Sequence, residues 1–317
     1  MRILVAGGAG FIGSHLCDRL VAAGHRTVAV DDLSLGRREN IAHLDNKANF
    51  AFRKFSILEP AFELLMQEES FDAVFHLAAN SDIQLGSKSR RVDLDRTFLT
   101  TWSVCENMAR FGVRQLLFAS TSAVYGEVDK PMSEDDGPLI PISFYGAAKL
   151  ASEAYCSAYA HRHDIRTWVF RFPNVVGPRA THGVILDFIR KLKGNANFLE
   201  VLGDGTQEKP YLYVRDLLDA ILLVWERCTP EPYEVFNIGP ESATRVRTIA
   251  ESVVEAMGFK KAVTIRYGKE PRGWPGDVPK FAYDLTKIHG LEWKPRCSSD
   301  EAVRRAVGDV LDELAVQ

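Results

Sequence analysis

Residues 2–16 read Arg2-Ile-Leu-Val-Ala6, Gly7-Gly8-Ala9-Gly10, Phe11-Ile12-Gly13-Ser-His-Leu16. A short apolar run ends on glycines and passes at once into apolar residues at helical spacing, which stop at Gly24. The first run has the character of a strand buried on both faces, the second of a helix with one apolar side. Gly7, Gly10 and Gly13 sit at the junction, and each has its own use. Gly7 permits the tight turn, Gly10 lets the backbone approach a pyrophosphate closely, and Gly13 lets the helix pack against the strand. The amides and the positive end of that helix then face the phosphates. The order strand, turn, helix is what separates this glycine pattern from an ordinary turn, and it points to dinucleotide binding. A second strand, Arg26–Val30, ends at Asp31, 18 positions past Gly13. A carboxylate there accepts hydrogen bonds from both ribose hydroxyls and repels a 2′-phosphate, which favours NAD over NADP. Arg37 and Arg38 follow closely.

Outward from this stretch the chain alternates strand and helix patterns. Strands are predicted at 50–55, 73–77, 115–119 and 166–171, and helices at 61–68, 92–109 and 145–161. Repeated strand–helix–strand units demand a parallel sheet with right-handed crossovers and helices on both faces. The expected fold is therefore α/β: a Rossmann-type doubly wound parallel sheet with a smaller, mixed α/β C-terminal lobe. After Phe172 glycine and proline breaks surround one helix, Val184–Lys193; a helix is predicted over Tyr211–Glu226 and a returning strand over Glu234–Ile238. The expected organisation is a dinucleotide-binding domain at 1–172, with 211–238 returning to it, and a second lobe from 173–210 and 239–317.

Composition removes several function classes. The net charge is −3 over 317 residues, so no global basic field exists to hold a nucleic acid. The five cysteines form no CxxC pair, which argues against a zinc ribbon or a bound metal and suits reduced thiols in a cytoplasmic protein. The best apolar run, Ala220–Trp225, is far short of a membrane span. The N-terminal apolar stretch is interrupted by glycines and by Asp18 and Arg19, unlike a signal peptide.

A second constellation carries chemistry. Tyr145-Gly-Ala-Ala-Lys149 puts a phenol and an ammonium on one face of an alanine-rich helix. A nearby cation, lysine together with a nicotinamide ring, stabilises phenolate and lowers the tyrosine pKa toward working pH. The phenolate then serves as general base toward a substrate hydroxyl. Thr121, in the loop after the fifth strand, offers a hydroxyl to the same oxygen, and such loops line the ligand crevice of an open sheet.

Together these stretches resemble the extended short-chain dehydrogenase/reductase family, in its nucleotide-sugar epimerase and dehydratase branch. The likeness runs over nearly the whole chain: Gly7–Leu16, Asp31–Gly36, His76–Ala79, Ser120–Gly126, Tyr145–Lys149, Arg171–Pro178, Gly203–Gln207, Tyr211–Ala220, Phe236–Gly239 and Pro275–Val278. It implies a permanently held NAD, to which hydride leaves from C4 of a nucleotide-linked hexose to give a 4-keto sugar. It makes Tyr145 the base and later the acid, Lys149 a ligand of the nicotinamide ribose, and Thr121 a partner of the O4 region. It further implies that Phe11, Ile12, Asp32, Ser34, Ser56, Ile57, Leu77, Ala78, Ala79 and Phe172 join Gly7, Gly10, Gly13, Asp31, Tyr145 and Lys149 around the cofactor. Ser122, Asn174, Lys209, Tyr211, Arg272 and Trp274 would meet the substrate. A homodimer is implied as well, through the two long helices that carry Trp102 and Tyr155.

Within the branch, 4,6-dehydratases follow the threonine with an Asp-Glu pair, and sugar-acid decarboxylases carry a glutamate at the second position. Here those positions are Ser122 and Ala123. A 4-epimerase needs neither acid, so the implied activity is epimerisation of a UDP-hexose such as UDP-glucose or UDP-galactose. A dehydratase, a keto-sugar reductase and a silent NAD-binding protein are the alternatives. Several positions depart from the branch pattern. Ser56 stands where an aspartate is common, Thr97 lies near a usual asparagine, and Lys209 and Trp274 replace arginines, with Arg272 two residues before the tryptophan. Lysine gives a point charge and no bidentate fork. Trp274 either stacks on a base or packs. Phe281 either restricts the sugar to a plain hexose or is a core aromatic. His76 reads as a core residue, His161 to Asp164 as a solvated helix end, and Lys88 to Arg91 as a solvated loop.

Overall fold

The computed structural model describes residues 1–259, 262–274 and 276–316, without the side chains at 84, 87, 88, 90 and 316. Pro275, and the side chains of Lys88 and Arg90 from the basic cluster, thus lie outside the described residues.

In chain order, β1 (Arg2–Ala6) leads into α1 (Phe11–Ala22), β2 (Arg26–Asp31), β3 (Phe50–Lys54), α2 (Pro60–Glu68) and β4 (Ala73–His76). Short helices α3 (Ile83–Lys88) and α4 (Arg90–Asp93) come before a π-helical turn, Leu94–Phe98, and α5 (Leu99–Phe111). Next come β5 (Gln115–Thr121), α6 (Phe144–His163) and β6 (Arg166–Phe172). They are followed by β7 (Asn174–Val176), α7 (Val184–Gly194), β8 (Phe198–Val201), β9 (Glu208–Lys209), β10 (Tyr211–Tyr213), α8 (Val214–Arg227) and β11 (Tyr233–Asn237). The chain closes with β12 (Thr244–Arg245), α9 (Val246–Ala256), β13 (Thr264–Tyr267), α10 (Thr286–His289) and α11 (Ser299–Val316).

Seven strands form one sheet in the order β11-β6-β5-β4-β1-β2-β3. β1 pairs in parallel with β2 on one side and with β4 on the other, so the strand order reverses there. In open α/β sheets the ligand crevice lies beyond the carboxyl ends of the strands at that reversal. This is the Rossmann-type doubly wound sheet expected from the sequence. Leu4, Val28, Phe62, Val74, Val104, Phe118 and Val169 are buried in one apolar cluster, and strands covered on both faces show no polar alternation.

The chain divides into two compact units. One, Met1–Val124 with Phe144–Arg171 and Ile221–Phe236, holds the sheet; the other is Tyr125–Ser143, Phe172–Ala220 and Asn237–Gln317. The second unit has its own core, in which Ile189, Leu199, Tyr213, Val253 and Val303 are buried together.

Three elements differ from the sequence reading. The stretch Lys88 to Arg91, read as a loop, lies at the end of α3 and the start of α4. Tyr211–Tyr213 is a strand, not the first turn of a helix, because it pairs in parallel with Asn174–Val176. The helix predicted over 92–109 is interrupted by the π-helical turn. There the hydroxyls of Thr100 and Thr101 donate to the carbonyl of Thr97 at 3.0 and 2.8 Å, competing with the regular backbone ladder.

Candidate active site

The glycine turn between β1 and α1 is built as a cradle. Gly7 has φ +83°, and a Cβ there would stand 2.7 Å from the Ala78 amide nitrogen. A Cβ on Gly13 would lie 2.1 Å from the Gly7 carbonyl oxygen. Gly10 is different, since a Cβ there would meet only the Gly7 carbonyl, at 3.2 Å, and its outer side is open to a ligand. α1 begins with no side-chain cap and no acidic residue in its first turn, so its amides remain available to an anion.

Asp31 ends β2 and is 9% exposed. One carboxylate oxygen accepts the Ala9 amide at 3.0 Å, the other the Leu33 amide at 2.9 Å. Burial pushes its carboxyl up, and the amides of Leu33 and Ala9 pull it back. A carboxylate offers about four acceptor positions, so capacity for ribose hydroxyls remains. Asp31 thus also ties the glycine turn to β2, a second role that sequence reading missed. Arg38 is engaged by Asp45 at 2.6 Å and lies 4.9 Å from the Phe52 ring centroid. These features fit a dinucleotide with a free 2′-hydroxyl.

The remaining residues assigned to the cofactor line loops at the ends of β2, β3, β4 and β6. Asp32 accepts the Ser34 amide at 2.8 Å, and the Ser56 hydroxyl accepts the Leu58 amide at 3.3 Å. Ile57 is buried, and its carbonyl accepts the Ser103 hydroxyl at 2.9 Å. Phe172 is half-buried at the end of β6. The Leu77 amide donates to the Ala6 carbonyl at 2.9 Å, which fixes the loop carrying Ala78 and Ala79. Thr97 is fully buried and accepts the Asn80 amide at 3.1 Å, so it anchors this loop where an asparagine is common in the branch. His76 is fully buried, its Nε2 3.0 Å from the Thr101 hydroxyl. Burial, then the Lys149 charge, pushes its pKa down to about 3, which keeps it a neutral core residue.

Thr121 and Tyr145 are brought together, close enough for the threonine hydroxyl to favour the ionised form of the phenol. Thr121 closes β5 and is buried, whereas Tyr145 is half-buried in the first turn of α6. Lys149 is 2% exposed; its Nζ donates to the Ala119 carbonyl at 2.6 Å and lies 4.8 Å from the Phe118 ring centroid. Burial pushes the Tyr145 phenol up to about 12, which the Thr121 hydroxyl opposes and the Asp93 charge reinforces. Burial likewise pushes Lys149 down to about 8. The sequence leads us to expect that lysine and a nicotinamide ring together lower the phenol toward working pH. In the protein alone desolvation wins, and a cationic ligand ring must supply the rest. Beyond β5 the backbone turns at Ser122–Val124, and the Ala123 amide donates to the Thr121 hydroxyl at 3.2 Å.

One network beside this set went unread in the sequence. Ser120 hydrogen-bonds Glu153, whose carboxylate also accepts Arg171 in two-pronged fashion, Nε to Oε1 at 3.0 Å and a terminal nitrogen to Oε2 at 2.6 Å. The two charged side chains are 5% and 3% exposed. Removing one partner of such a pair costs about 3–5 kcal/mol. The available signal was spacing: Tyr145, Lys149 and Glu153 recur every fourth residue of α6.

In the second unit, Lys209, Arg272 and Trp274 are brought together around Asp277. Lys209 pairs with the Asp277 carboxylate, and its Nζ is 5.3 Å from the Trp274 ring centroid. Arg272 donates to the Asp277 carbonyl at 3.2 Å and to both Glu127 carboxylate oxygens at 2.9 and 2.6 Å. The Trp274 indole nitrogen is buried and without a partner among the described residues. Tyr211 is 5% exposed within the apolar core of this unit, and in the strand register it stands opposite the exposed Asn174. Phe281 stacks on Tyr125 at 5.8 Å and meets Tyr283 edge-on at 4.6 Å, as a packed aromatic does. Among the described residues no group of three or more His, Cys, Asp or Glu is placed to hold a metal, and no helix is long and apolar enough to cross a membrane.

Comparison with known proteins agrees with this geometry. Residues 3–239 match the model of the NAD dependent epimerase/dehydratase family. A crystal structure of a UDP-galactose 4-epimerase superposes with a TM-score of 0.88 at 40% identity, covering 99% of this chain and 100% of that one. A Thermus thermophilus UDP-glucose 4-epimerase, solved with NAD, gives a TM-score of 0.85 at 30% identity, over 98% of each chain. A dTDP-D-glucose 4,6-dehydratase of Mus musculus is 29% identical over 96% of this chain and 87% of its own. The chain belongs to the NAD-dependent epimerase/dehydratase family, and its cofactor is NAD.

Proposed function

We propose that this enzyme interconverts two nucleotide-linked hexoses that differ in configuration at C4, with uridine diphosphate as the carrier. The observation that supports this most is the end of β5. Thr121 meets Tyr145 there, and the next two positions, Ser122 and Ala123, carry no group that exchanges a proton near neutrality. Loss of water across C5 and C6 of the sugar needs an acid and a base at that place, and inversion at C4 needs neither. When bound, NAD supplies a cationic ring able to take a hydrogen with its electron pair from C4 and to give it back.

The chain's own residues do the rest. The amides of the glycine turn and α1 hold the pyrophosphate, and Asp31 holds the ribose. Tyr145, oriented by the Thr121 hydroxyl, takes the proton from O4 as its phenolate and, as the phenol so formed, later returns it. Lys149 serves the nicotinamide ribose, and its charge opposes the desolvation that keeps the phenol protonated. Ser122, Asn174, Tyr211, Lys209, Arg272 and Trp274 take the substrate, the two cations facing its diphosphate. In this reading the cofactor domain spans 1–172, joined by 211–238, and the substrate lobe is formed from 173–210 and 239–317. Trp102 and Tyr155, 43% and 44% exposed on α5 and α6, form the contact surface of a homodimer. Sedimentation at micromolar concentration should show that dimer, and monomer alone would refute it.

Mass spectrometry and chromatography of products test the activity. UDP-glucose or UDP-galactose should give the other epimer at unchanged mass with no accumulation of NADH. A product lighter by one water, or NADH formed in proportion to substrate consumed, would contradict the proposal.

A further inference from the structure

Lys149 is an ammonium almost wholly removed from water, with its nitrogen against the Ala119 carbonyl and the Phe118 ring. An ammonium in that position loses its hydration and stays charged only if nearby groups compensate. The groups facing it divide sharply. On β4, His76 is neutral. On α6 itself, Cys156 is buried, its thiol pushed up by burial and by Cys105 of α5, whose sulfur is 3.9 Å away, so it carries no charge near neutrality. β5 has no titratable side chain. Asp93 of α4 acts on Tyr145 and is bonded by Asn80 at 2.8 Å. Asp95, in the π-helical turn, pairs with Arg91 at the surface at 2.9 Å. That leaves Glu153, one helical turn beyond Lys149 and 3% exposed, as the carboxylate whose charge favours the ammonium. Its geometry is fixed from two other strands, by Ser120 of β5 and Arg171 of β6, while Tyr233 of β11 is close enough to feel its charge.

We propose that Glu153 is a positioning residue for Lys149: held by Ser120 and shared with Arg171, its carboxylate keeps the lysine charged inside the sheet unit and so ready for the cofactor side of the catalytic set. The inference rests on the reading of Tyr145 and Lys149 as the reacting pair. One buried carboxylate serves two buried cations. Removing the carboxylate leaves two cations together, whereas removing Arg171 leaves the carboxylate to Lys149 alone. Both changes disrupt the Arg171–Glu153 pair, but they push the Lys149 proton in opposite directions.

That opposition supplies the test. The full-length protein is labelled at lysine with nitrogen-15 and carbon-13, the Lys149 signal is assigned by its loss in Lys149→Met, and its titration is followed by NMR. In Glu153→Gln the Lys149 pKa should fall by about one unit, and in Arg171→Met it should rise by a similar amount. If Glu153→Gln does not fold, the double variant Glu153→Gln with Arg171→Met, which leaves no unpaired charge at either position, is compared with Arg171→Met alone. Lys149 should then titrate lower in the double variant. Shifts in the same direction, or none, overturn the proposal and leave Glu153 a structural ion pair. The titration needs no turnover. A chain that shows these shifts without epimerising sugars refutes the proposed function and not this assignment; one that epimerises without them does the reverse.

Discussion

Tyr145→Phe is expected to retain NAD and to lose about 10²–10⁴-fold in kcat, the usual worth of a positioned acid–base group. The substitution removes one oxygen and keeps the ring that α6 packs. The partner left behind is the Thr121 hydroxyl, which keeps its bond from the Ala123 amide at 3.2 Å. The stability change should therefore stay near the value of a single hydrogen bond, about 1 kcal/mol. KM for the nucleotide sugar should change little, because the phenol acts in the transition state more than in binding. Steady-state kinetics, with the bound NAD counted after denaturation, check both halves. A Tyr145→Phe enzyme of wild-type activity would remove the residue from its assigned role.

Gly13→Ala sets two effects against each other, and the structure decides the sign. Alanine is favoured over glycine inside a helix by about 1 kcal/mol, so local propensity predicts a more stable protein. The added carbon, however, would stand 2.1 Å from the Gly7 carbonyl and 3.0 Å from the Gly8 Cα. Both obstacles are backbone of the turn itself, which is tied to Asp31 through the Ala9 amide and cannot retreat cheaply. Relief requires α1 to move away from β1, opening the phosphate cradle. The expected result is a lower melting temperature, by an amount corresponding to about 1–3 kcal/mol as for an overpacked core, and a purified protein largely free of NAD. A variant that is more stable and still loaded with NAD would show that the close approach of helix to turn is not required.

These effects show which parts of the molecule are legible from residues alone. β1, β2, β4 and β5 were recognisable because both faces are covered, so burial leaves an unbroken apolar run. The glycine turn was recognisable because backbone crowding at Gly7 and Gly13 admits no side chain. Tyr211–Tyr213 was misassigned because its strand character comes from a partner, β7, more than thirty residues earlier. Tertiary burial likewise sets the direction of the Tyr145 pKa in the protein alone, a desolvation that the spacing of Tyr145 and Lys149 does not reveal. The Glu153–Arg171 pair escaped notice for a related reason. Its members meet only because α6 and β6 are brought side by side, and no local pattern marks a buried charge whose counterion is distant in the chain.

The most direct test follows the hydrogen on C4. UDP-glucose carrying deuterium at that carbon, incubated with the purified enzyme in ordinary water, should give UDP-galactose that still carries the deuterium at C4, while the proton on O4 exchanges freely through Tyr145. Deuterium lost to solvent would mean that the carbon-bound hydrogen leaves as a proton, and the assignment of a returning hydrogen with a tyrosine acting only on oxygen would be wrong.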